Sequence, residues 1–162
     1  MGLLEKEGLI PKLIDVDCFC LANIFAKSYS VSDASVKEKT IALLNIGALT
    51  TNMAIVDNGT LRFSRDISFG VKDTALAGLS AEISTSIDYY ENQNASSVGK
   101  IFLSGGGGLF TGLKDMLANL LGSEVQYWDP LKRISLGEGI DSGKLKALSG
   151  QLSVAVGLAL RA

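Results

Sequence analysis

The amino-acid sequence predicts an α/β fold in which a mixed β-sheet carries helices on both faces. Two apolar runs lie on either side of the Asn-Gly pair at residues 58 and 59, which indicates an antiparallel hairpin. From residue 74 the spacing of apolar residues changes to three or four, which indicates an amphipathic helix. Helical and strand patterns then alternate to the end of the chain, and this alternation is typical of helices packed on a sheet.

The first predicted elements are a strand and a helix. Residues 11–16 (PKLIDV) are an apolar run, so we expect a short buried strand there. Asp17 is a suitable N-cap for a helix that begins at Cys18 and reaches about Tyr29. The following residues, 28–39, are small and polar, and we expect them to form a surface loop.

Three strands then form an antiparallel meander. Residues 41–44 are a continuous apolar run, which is typical of a strand covered on both faces. Residues 52–56 and 61–67 flank a turn at residues 57–59, and an Asn-Gly turn suits the positive φ angles that a tight hairpin requires.

The second half of the chain alternates helices and strands. In order, we expect a helix at 74–92, a strand at 100–104, a helix that ends at Gly122, a strand at 124–128, an irregular Gly-rich stretch at 134–144 and a closing helix at 145–160. The predicted order is therefore β-α-β-β-β-α-β-α-β-α. A chain of 162 residues has the size of one domain.

Composition excludes several function classes. The 15 basic and 17 acidic residues give a net charge of −2, so there is no basic field for nucleic acid. Histidine is absent, which excludes Ser–His and Cys–His nucleophile pairs and zinc sites built on imidazole. The only thiols, Cys18 and Cys20, are poorly spaced for a disulfide. We predict no catalytic residue and no metal ligand. The longest apolar stretches fall well short of about 20 residues, so we predict no membrane span.

The first candidate binding site extends from Asn45 to Thr51. A buried strand ends there at a Gly-containing turn, and such a turn presents backbone N–H groups that suit phosphate oxygens. We expect backbone donors at Gly47 and Ala48 and added hydroxyl donors at Thr50 and Thr51. The alternative is structural: a tight hairpin between core strands that needs Gly for its φ angle.

The second candidate site is the run Gly105, Gly106, Gly107 and Gly108, between a strand and a helix. Glycines let a ligand lie against the bare backbone, although each costs roughly 0.5–1 kcal/mol in chain entropy. The alternative is close packing at a strand–helix joint, but four consecutive glycines exceed what a joint requires. The run does not match the dinucleotide fingerprint G-x-G-x-x-G. It also fails the P-loop pattern, because Leu113 stands where Lys is required.

The two glycine sites, in this order, resemble the second half of the actin-like ATPase superfamily, and within it the type IV pilus assembly protein PilM family. The similar blocks are 9–25 (LIPKLIDVDCFCLANIF), 41–70 (IALLNIGALTTNMAIVDNGTLRFSRDISFG), 101–121 (IFLSGGGGLFTGLKDMLANLL), 129–134 (DPLKRI) and 154–161 (VAVGLALR). They look like that family's interlobe strand and helix, phosphate-2 hairpin, adenosine loop and C-terminal end. The resemblance implies an actin-like ATPase (ribonuclease H-like) domain, the second lobe only.

Three departures from the family pattern affect the expected function. The family's N-terminal lobe, which carries the other phosphate loop and grips the partner PilN, is missing from this sequence. Only residues 71–73 precede the long helix, so the subdomain that closes over adenine is also expected to be missing. Asn45 stands where the family usually has an Asp that helps to hold Mg²⁺ and its water. A neutral amide cannot act as a base or offset the charge of a metal ion.

The resemblance implies a pilus-assembly scaffold at the cytoplasmic face of the inner membrane, peripheral to it. Its partner would be a PilN-like inner-membrane protein or the missing N-terminal lobe. It also implies weak or vestigial binding of ATP with Mg²⁺ and no independent ATPase activity, with Asn45 keeping a contact to metal-bound water. Alternatives are a cell-division or filament scaffold like FtsA, or an ATPase or sugar-kinase enzyme. The implied nucleotide-binding residues are Asn45, Gly47, Ala48, Thr50, Thr51, Gly105, Gly106, Gly107 and Gly108.

Overall fold

A five-stranded mixed sheet forms the centre of the protein. The structure is a computed structural model that describes residues 2–8, 10, 12–29, 40–72 and 76–161. The strands are β1 (Thr40–Ile46), β2 (Thr51–Asp57), β3 (Thr60–Ile67), β4 (Val98–Ser104) and β5 (Glu124–Tyr127). They lie in the order β3-β2-β1-β4-β5. Strand β1 is antiparallel to β2 and parallel to β4, which confirms the mixed sheet.

Two helices precede the strands, and the others lie between and after them. They are α1 (Gly2–Lys6), α2 (Asp17–Tyr29), α3 (Leu76–Asn94), α4 (Leu113–Leu121), α5 (Ser142–Leu148) and α6 (Ser153–Ala159), with 3₁₀ turns at Gly106–Leu109 and Ser149–Leu152. Helix α1 was not predicted. In the part of the chain that the structure describes, no helix has both the length and the apolar character needed to cross a membrane.

Helices cover both faces of the sheet, as the sequence predicts. Successive strand residues point to opposite faces, so β1 contributes to two cores. On one face Leu44 of β1 packs in a cluster with Leu79 of α3 and Leu117 of α4. On the other face Leu43 packs in a cluster with Leu21 of α2. Both leucines of β1 are fully buried, which explains the unbroken apolar run in this strand.

The β2–β3 hairpin forms at the predicted Asn-Gly turn. Asn58 and Gly59 both have positive φ, at 48° and 77°. The ladder then contains one irregularity, because Val56 pairs with Leu61 whereas Ile55 pairs with Phe63. Arg62 is therefore the extra residue of a β-bulge, and the register between β2 and β3 shifts by one residue beyond it.

The prediction of a buried strand at residues 11–16 is wrong. Residue 11 lies outside the described residues, and residues 12–16 belong to no helix or strand. Ile10 and Ile14 are 83% and 84% exposed. The reason is topological, because β1 already has β2 and β4 as neighbours and this segment joins neither edge strand of the sheet. Of the predicted loop at 28–39, residues 28 and 29 end α2, and the rest lie outside the described residues.

The apolar segment leads into a tightly fixed start of α2, which begins at Asp17, one residue earlier than predicted. The side chain of Asp15 is 5% exposed, and its Oδ2 accepts from Arg161 at 2.8 Å and from the thiol of Cys20 at 3.5 Å. Helices α2 and α6 also cross closely, since a Cβ at Gly157 would collide with the backbone of Cys20. The start of α2 is therefore joined to the last helix and to Arg161 at one point.

The predicted closing helix at 145–160 is two helices with a 3₁₀ turn between them. Helix α5 begins earlier, in the stretch predicted to be irregular, because Asp141 caps it by accepting from the N–H groups of Gly143 and Lys144, both at 3.0 Å. The helical path then breaks at Ser149–Leu152. There the carbonyl of Gly150 accepts the N–H of Gly105 at 2.8 Å, so a contact with the glycine run replaces a regular helical bond.

Candidate functional site

The turn between β1 and β2 forms the first part of the candidate site. The N–H of Gly47 donates to the carbonyl of Thr50 at 2.8 Å, which closes the turn on its inner side. Gly47 is thus a donor to its own turn and not to a ligand, in contrast to the prediction. The N–H groups of Ala48, Leu49 and Thr50 form no hydrogen bond within the described residues, and all three residues are exposed. The turn therefore carries three consecutive backbone donors without a partner among the described residues, and its Ala48–Leu49 peptide packs against Gly70.

The chain after β3 supports this turn from behind. The N–H groups of Val71 and Lys72 donate to the carbonyls of Gly47 and Ala48, at 3.1 and 3.0 Å. Thr51 is fully buried, and its hydroxyl donates to the carbonyl of Phe69 at 2.8 Å. The expectation that Thr51 offers its hydroxyl to phosphate is therefore corrected, because that hydroxyl holds the supporting segment. Thr50 keeps an exposed side chain.

A row of polar side chains crosses the sheet beside the turn. Asn45 on β1, Asn52 on β2 and Asp66 on β3 are cross-strand neighbours. Asn45 Nδ2 donates to Asn52 Oδ1 at 3.0 Å, and Asn52 Nδ2 donates to Asp66 Oδ1 at 2.8 Å. At the other end, the hydroxyls of Ser104 and Ser153 lie 3.4 and 3.3 Å from Asn45 Oδ1. We call these five residues the polar row. Of these, only Asn45 is a binding residue predicted from the sequence.

Cys18 of α2 lies against the carboxylate end of the polar row. Its thiol donates to the carbonyl of Met53 at 3.3 Å and is 3.9 Å from Asp66 Oδ1. Burial, with the Asp66 carboxylate nearby, raises the pKa of Cys18 to about 11. The thiol therefore stays protonated at neutral pH and acts as a weak donor. Cys18 and Cys20 are both free and buried, which agrees with the prediction that they do not bridge each other.

The glycine run after β4 meets the turn from the other side. Gly105 has φ +89° and a Cβ there would collide with the backbone of Ile46, immediately before the turn. A Cβ at Gly107 would lie 2.7 Å from the side chain of Ile46. Close packing therefore requires Gly105 and Gly107, so the structural alternative holds at these two positions. At Gly106, which is exposed, the nearest atoms are side-chain atoms of Gln151 at 3.8 Å, so packing does not require a glycine.

A small pocket opens beside Gly105 at the carboxyl ends of β4 and β5. Its volume is about 140 Å³, and its walls include Trp128 and Gly150. Ligand pockets commonly measure about 300–1,000 Å³, so this pocket is too small to enclose a nucleoside by itself. Gly108 belongs to the 3₁₀ turn Gly106–Leu109 that follows.

The polar row does not fit a protein-held Mg²⁺. This ion prefers octahedral oxygen ligands and is commonly held by one or two carboxylates. No group of three His, Cys, Asp or Glu side chains is placed to hold a metal ion among residues 2–8, 10, 12–29, 40–72 and 76–161. Position 45 offers an amide oxygen that two hydroxyls already approach. The expected contact between Asn45 and metal-bound water is therefore poorly supported, whereas the free amides of the turn suit a phosphate group.

Comparison with known proteins identifies the family. The family model for type IV pilus assembly protein PilM matches residues 1–77 and 73–162, which together span the chain. The chain belongs to the PilM family. This match favours PilM over the FtsA-like alternative. The two matched segments overlap at residues 73–77.

Solved structures confirm the actin-like ATPase fold. The chain is similar to a protein of the PilM-PilN type IV pilus biogenesis complex, with TM-score 0.82, 22% identity and coverage of 98% of this chain and 55% of that chain. It is also similar to MreB5 of Spiroplasma citri bound to ADP, with TM-score 0.57, 11% identity and coverage of 98% and 62%. A third match is the activator of 2-hydroxyisocaproyl-CoA dehydratase from Clostridium difficile with bound ADPNP, with TM-score 0.54, 13% identity and coverage of 99% and 78%. The chain thus spans about half the length of the PilM structure that it matches.

Proposed function

We propose that this chain is a scaffold of type IV pilus assembly that lies at the cytoplasmic face of the inner membrane and binds a PilN-like partner. The proposal depends chiefly on one observation, the similarity of 98% of the chain to a protein solved in a PilM-PilN complex. The family match along the whole chain supports it. Because the chain spans about half of that protein, the function of the whole matched protein is only proposed for this chain.

The exposed apolar segment before α2 supports the existence of a partner. Ile10 and Ile14 are more than four-fifths exposed, and Leu13 and Val16 are about half exposed. Several exposed apolar side chains within one short segment favour an interaction site. Asp15, within the segment, is anchored to Arg161, so the segment is attached to the domain at a fixed point. We propose that it packs against a PilN-like protein or an N-terminal lobe of the PilM type.

Binding measurements with two variants test this surface. The chain is titrated by biolayer interferometry with a PilN homologue from the same genome and, separately, with the N-terminal lobe of a full-length PilM. The variant I10S/I14S should weaken binding to the true partner at least tenfold. The matched control I140S alters an isoleucine that is 50% exposed elsewhere, and it should bind normally. Unchanged binding of I10S/I14S would refute the proposed surface.

We also propose that the turn and the glycine loop bind ATP weakly and that the chain has no independent ATPase activity. The three free amides of Ala48, Leu49 and Thr50 would bind phosphate, and the exposed backbone at Gly106 would face the nucleoside. The incomplete pocket beside Gly105 accounts for low affinity. Calorimetric titration with ATP tests the proposal. Saturable binding of ATP is expected. A folded chain that shows no binding up to millimolar ATP would refute the proposed binding. Hydrolysis of ATP at rates typical of enzymes would refute the proposed lack of ATPase activity.

A further inference from the structure

The carboxylate of Asp66 sets the direction of every hydrogen bond in the polar row. An ionised carboxylate only accepts hydrogen bonds. Asn52 must therefore turn its Nδ2 toward Asp66, at 2.8 Å, and its Oδ1 toward Asn45. Asn45 in turn must present its Nδ2 to Asn52, at 3.0 Å. The amide orientation at position 45 follows from a residue two strands away.

This orientation places the oxygen of Asn45 among hydroxyl donors. Ser104 Oγ and Ser153 Oγ lie 3.4 and 3.3 Å from it, and both serines are buried. The remaining unused group of the Asn45 amide is one hydrogen on Nδ2, which is a donor. A donor suits an anion and repels a cation. The amide of Asn45 thus keeps a spare donor while two hydroxyls occupy its oxygen, which favours an anion over a metal ion.

Lys72 carries a positive charge on a residue whose backbone is fixed against the turn. Its backbone N–H donates to the carbonyl of Ala48 at 3.0 Å, and its side chain is long enough to reach past the turn. The residue is exposed, and none of the ion pairs among the described residues involves it. A lysine at this place can approach a phosphate group as a point charge.

We propose that this site binds the phosphate tail of a nucleotide without a protein-held Mg²⁺, and that Lys72 supplies the positive charge in its place. The proposal depends on nucleotide binding, which is itself proposed above. It differs from the usual arrangement in which a carboxylate beside the turn holds the metal. In this chain the carboxylate of the row belongs to Asp66. It lies about 10 Å from Asn45, across two strand spacings, where it orients the amides.

Calorimetry of the whole chain with ATP, in EDTA and in excess Mg²⁺ at equal ionic strength, tests the absence of metal dependence. We expect dissociation constants within about threefold of each other. The variant K72Q should bind ATP five- to tenfold more weakly in EDTA. The control K27Q changes an exposed lysine near the far end of α2 and should bind normally. Tighter binding in Mg²⁺ by more than tenfold, or normal binding by K72Q, would overturn the proposal.

A second measurement does not require nucleotide binding. Mn²⁺ is added to isotopically labelled protein, and paramagnetic broadening of the amide signals of Ala48 and Thr50 is followed by NMR. The unmodified chain should show no saturable broadening at the turn. The variant N45D/D66N places the carboxylate beside the turn and should show saturable broadening of these amide signals. Saturable broadening in the unmodified chain would refute the metal inference. A lack of ATP binding together with no broadening would refute the proposed nucleotide function and phosphate binding at this site, and would uphold only the metal inference.

Discussion

Replacing Asn45 by Asp tests whether the polar row has a fixed direction. In the unmodified chain, Asn52 Oδ1 is 3.0 Å from Asn45 Nδ2, and Asn52 Nδ2 is 2.8 Å from Asp66 Oδ1. In N45D, the amide of Asn52 lies between two carboxylates. Its NH₂ group can face only one of them, so one contact between two acceptors remains. A lost hydrogen bond to a charged group costs about 1.5–3 kcal/mol. We expect N45D to lower the free energy of unfolding by this amount.

The exchange variant N45D/D66N should recover most of that loss. The new amide at position 66 can donate to Asn52 Oδ1, and Asn52 Nδ2 can donate to the new carboxylate at position 45. The two bonds of Asn52 are then kept with their direction reversed, and the hydroxyls of Ser104 and Ser153 still donate to position 45. D66N alone replaces a charged acceptor by a neutral one, which costs about 0.5–1.5 kcal/mol. The double variant should therefore be more stable than the sum of the single effects by at least about 1.5 kcal/mol.

Urea unfolding provides the assay, because the chain has a single tryptophan and Trp128 is buried. Its fluorescence reports loss of the core on the α2 side of the sheet. The control D88N removes an exposed carboxylate in the middle of α3 and should change stability by less than about 0.5 kcal/mol. If N45D/D66N is no more stable than the sum of the single variants, the reasoning on the row is refuted.

Three further predictions concern packing and the thiols. G157A should lower the melting temperature strongly, because the new Cβ collides with the backbone of Cys20 and must separate α2 from α6. G105A should cost more than about 2 kcal/mol in unfolding free energy, since φ is +89° and Ile46 blocks a Cβ; G106A, at an open position, is the control. Burial raises the pKa of Cys18 and Cys20 from 9.0 to about 11, so the unfolded thiols ionise first and stability should fall between pH 9 and 11. Unfolding curves at pH 8 and 10 check this, and equal stability would contradict it.

Local patterns were sufficient to predict most of the architecture. The Asn-Gly turn, the unbroken apolar run of β1 and the change of period at α3 depend on residues close in sequence, and all three predictions are confirmed. Residues 12–16 were wrongly assigned to a buried strand. An apolar run indicates that a segment is suited to burial, but it does not show which part of a protein covers it. The closing helix was misread for a related reason, since its break at Gly150 depends on a contact with Gly105 that is distant in sequence.

The polar row could not be derived from the turn alone. The pairing of Asp57 with Thr60 fixes the start of the hairpin, and an unbroken ladder would then place Asn52 opposite Arg65. The bulge at Arg62 shifts the register by one, and Asp66 becomes the partner of Asn52. A one-residue shift exchanges the two faces of a strand. Without the bulge, the carboxylate would lie on the opposite face from the row, with no bond to Asn52.

The same structure explains why a family resemblance is a better guide to the backbone of the turn than to a metal contact. The free amides of Ala48, Leu49 and Thr50 are backbone groups, so they survive any substitution that preserves the turn and its support by Val71 and Lys72. A metal contact depends instead on one side-chain oxygen at position 45. The orientation of that oxygen is controlled by hydrogen bonds that reach across two strands. Backbone geometry therefore carries over between distant relatives. A contact to a metal ion must instead be derived for each chain from its own side-chain contacts.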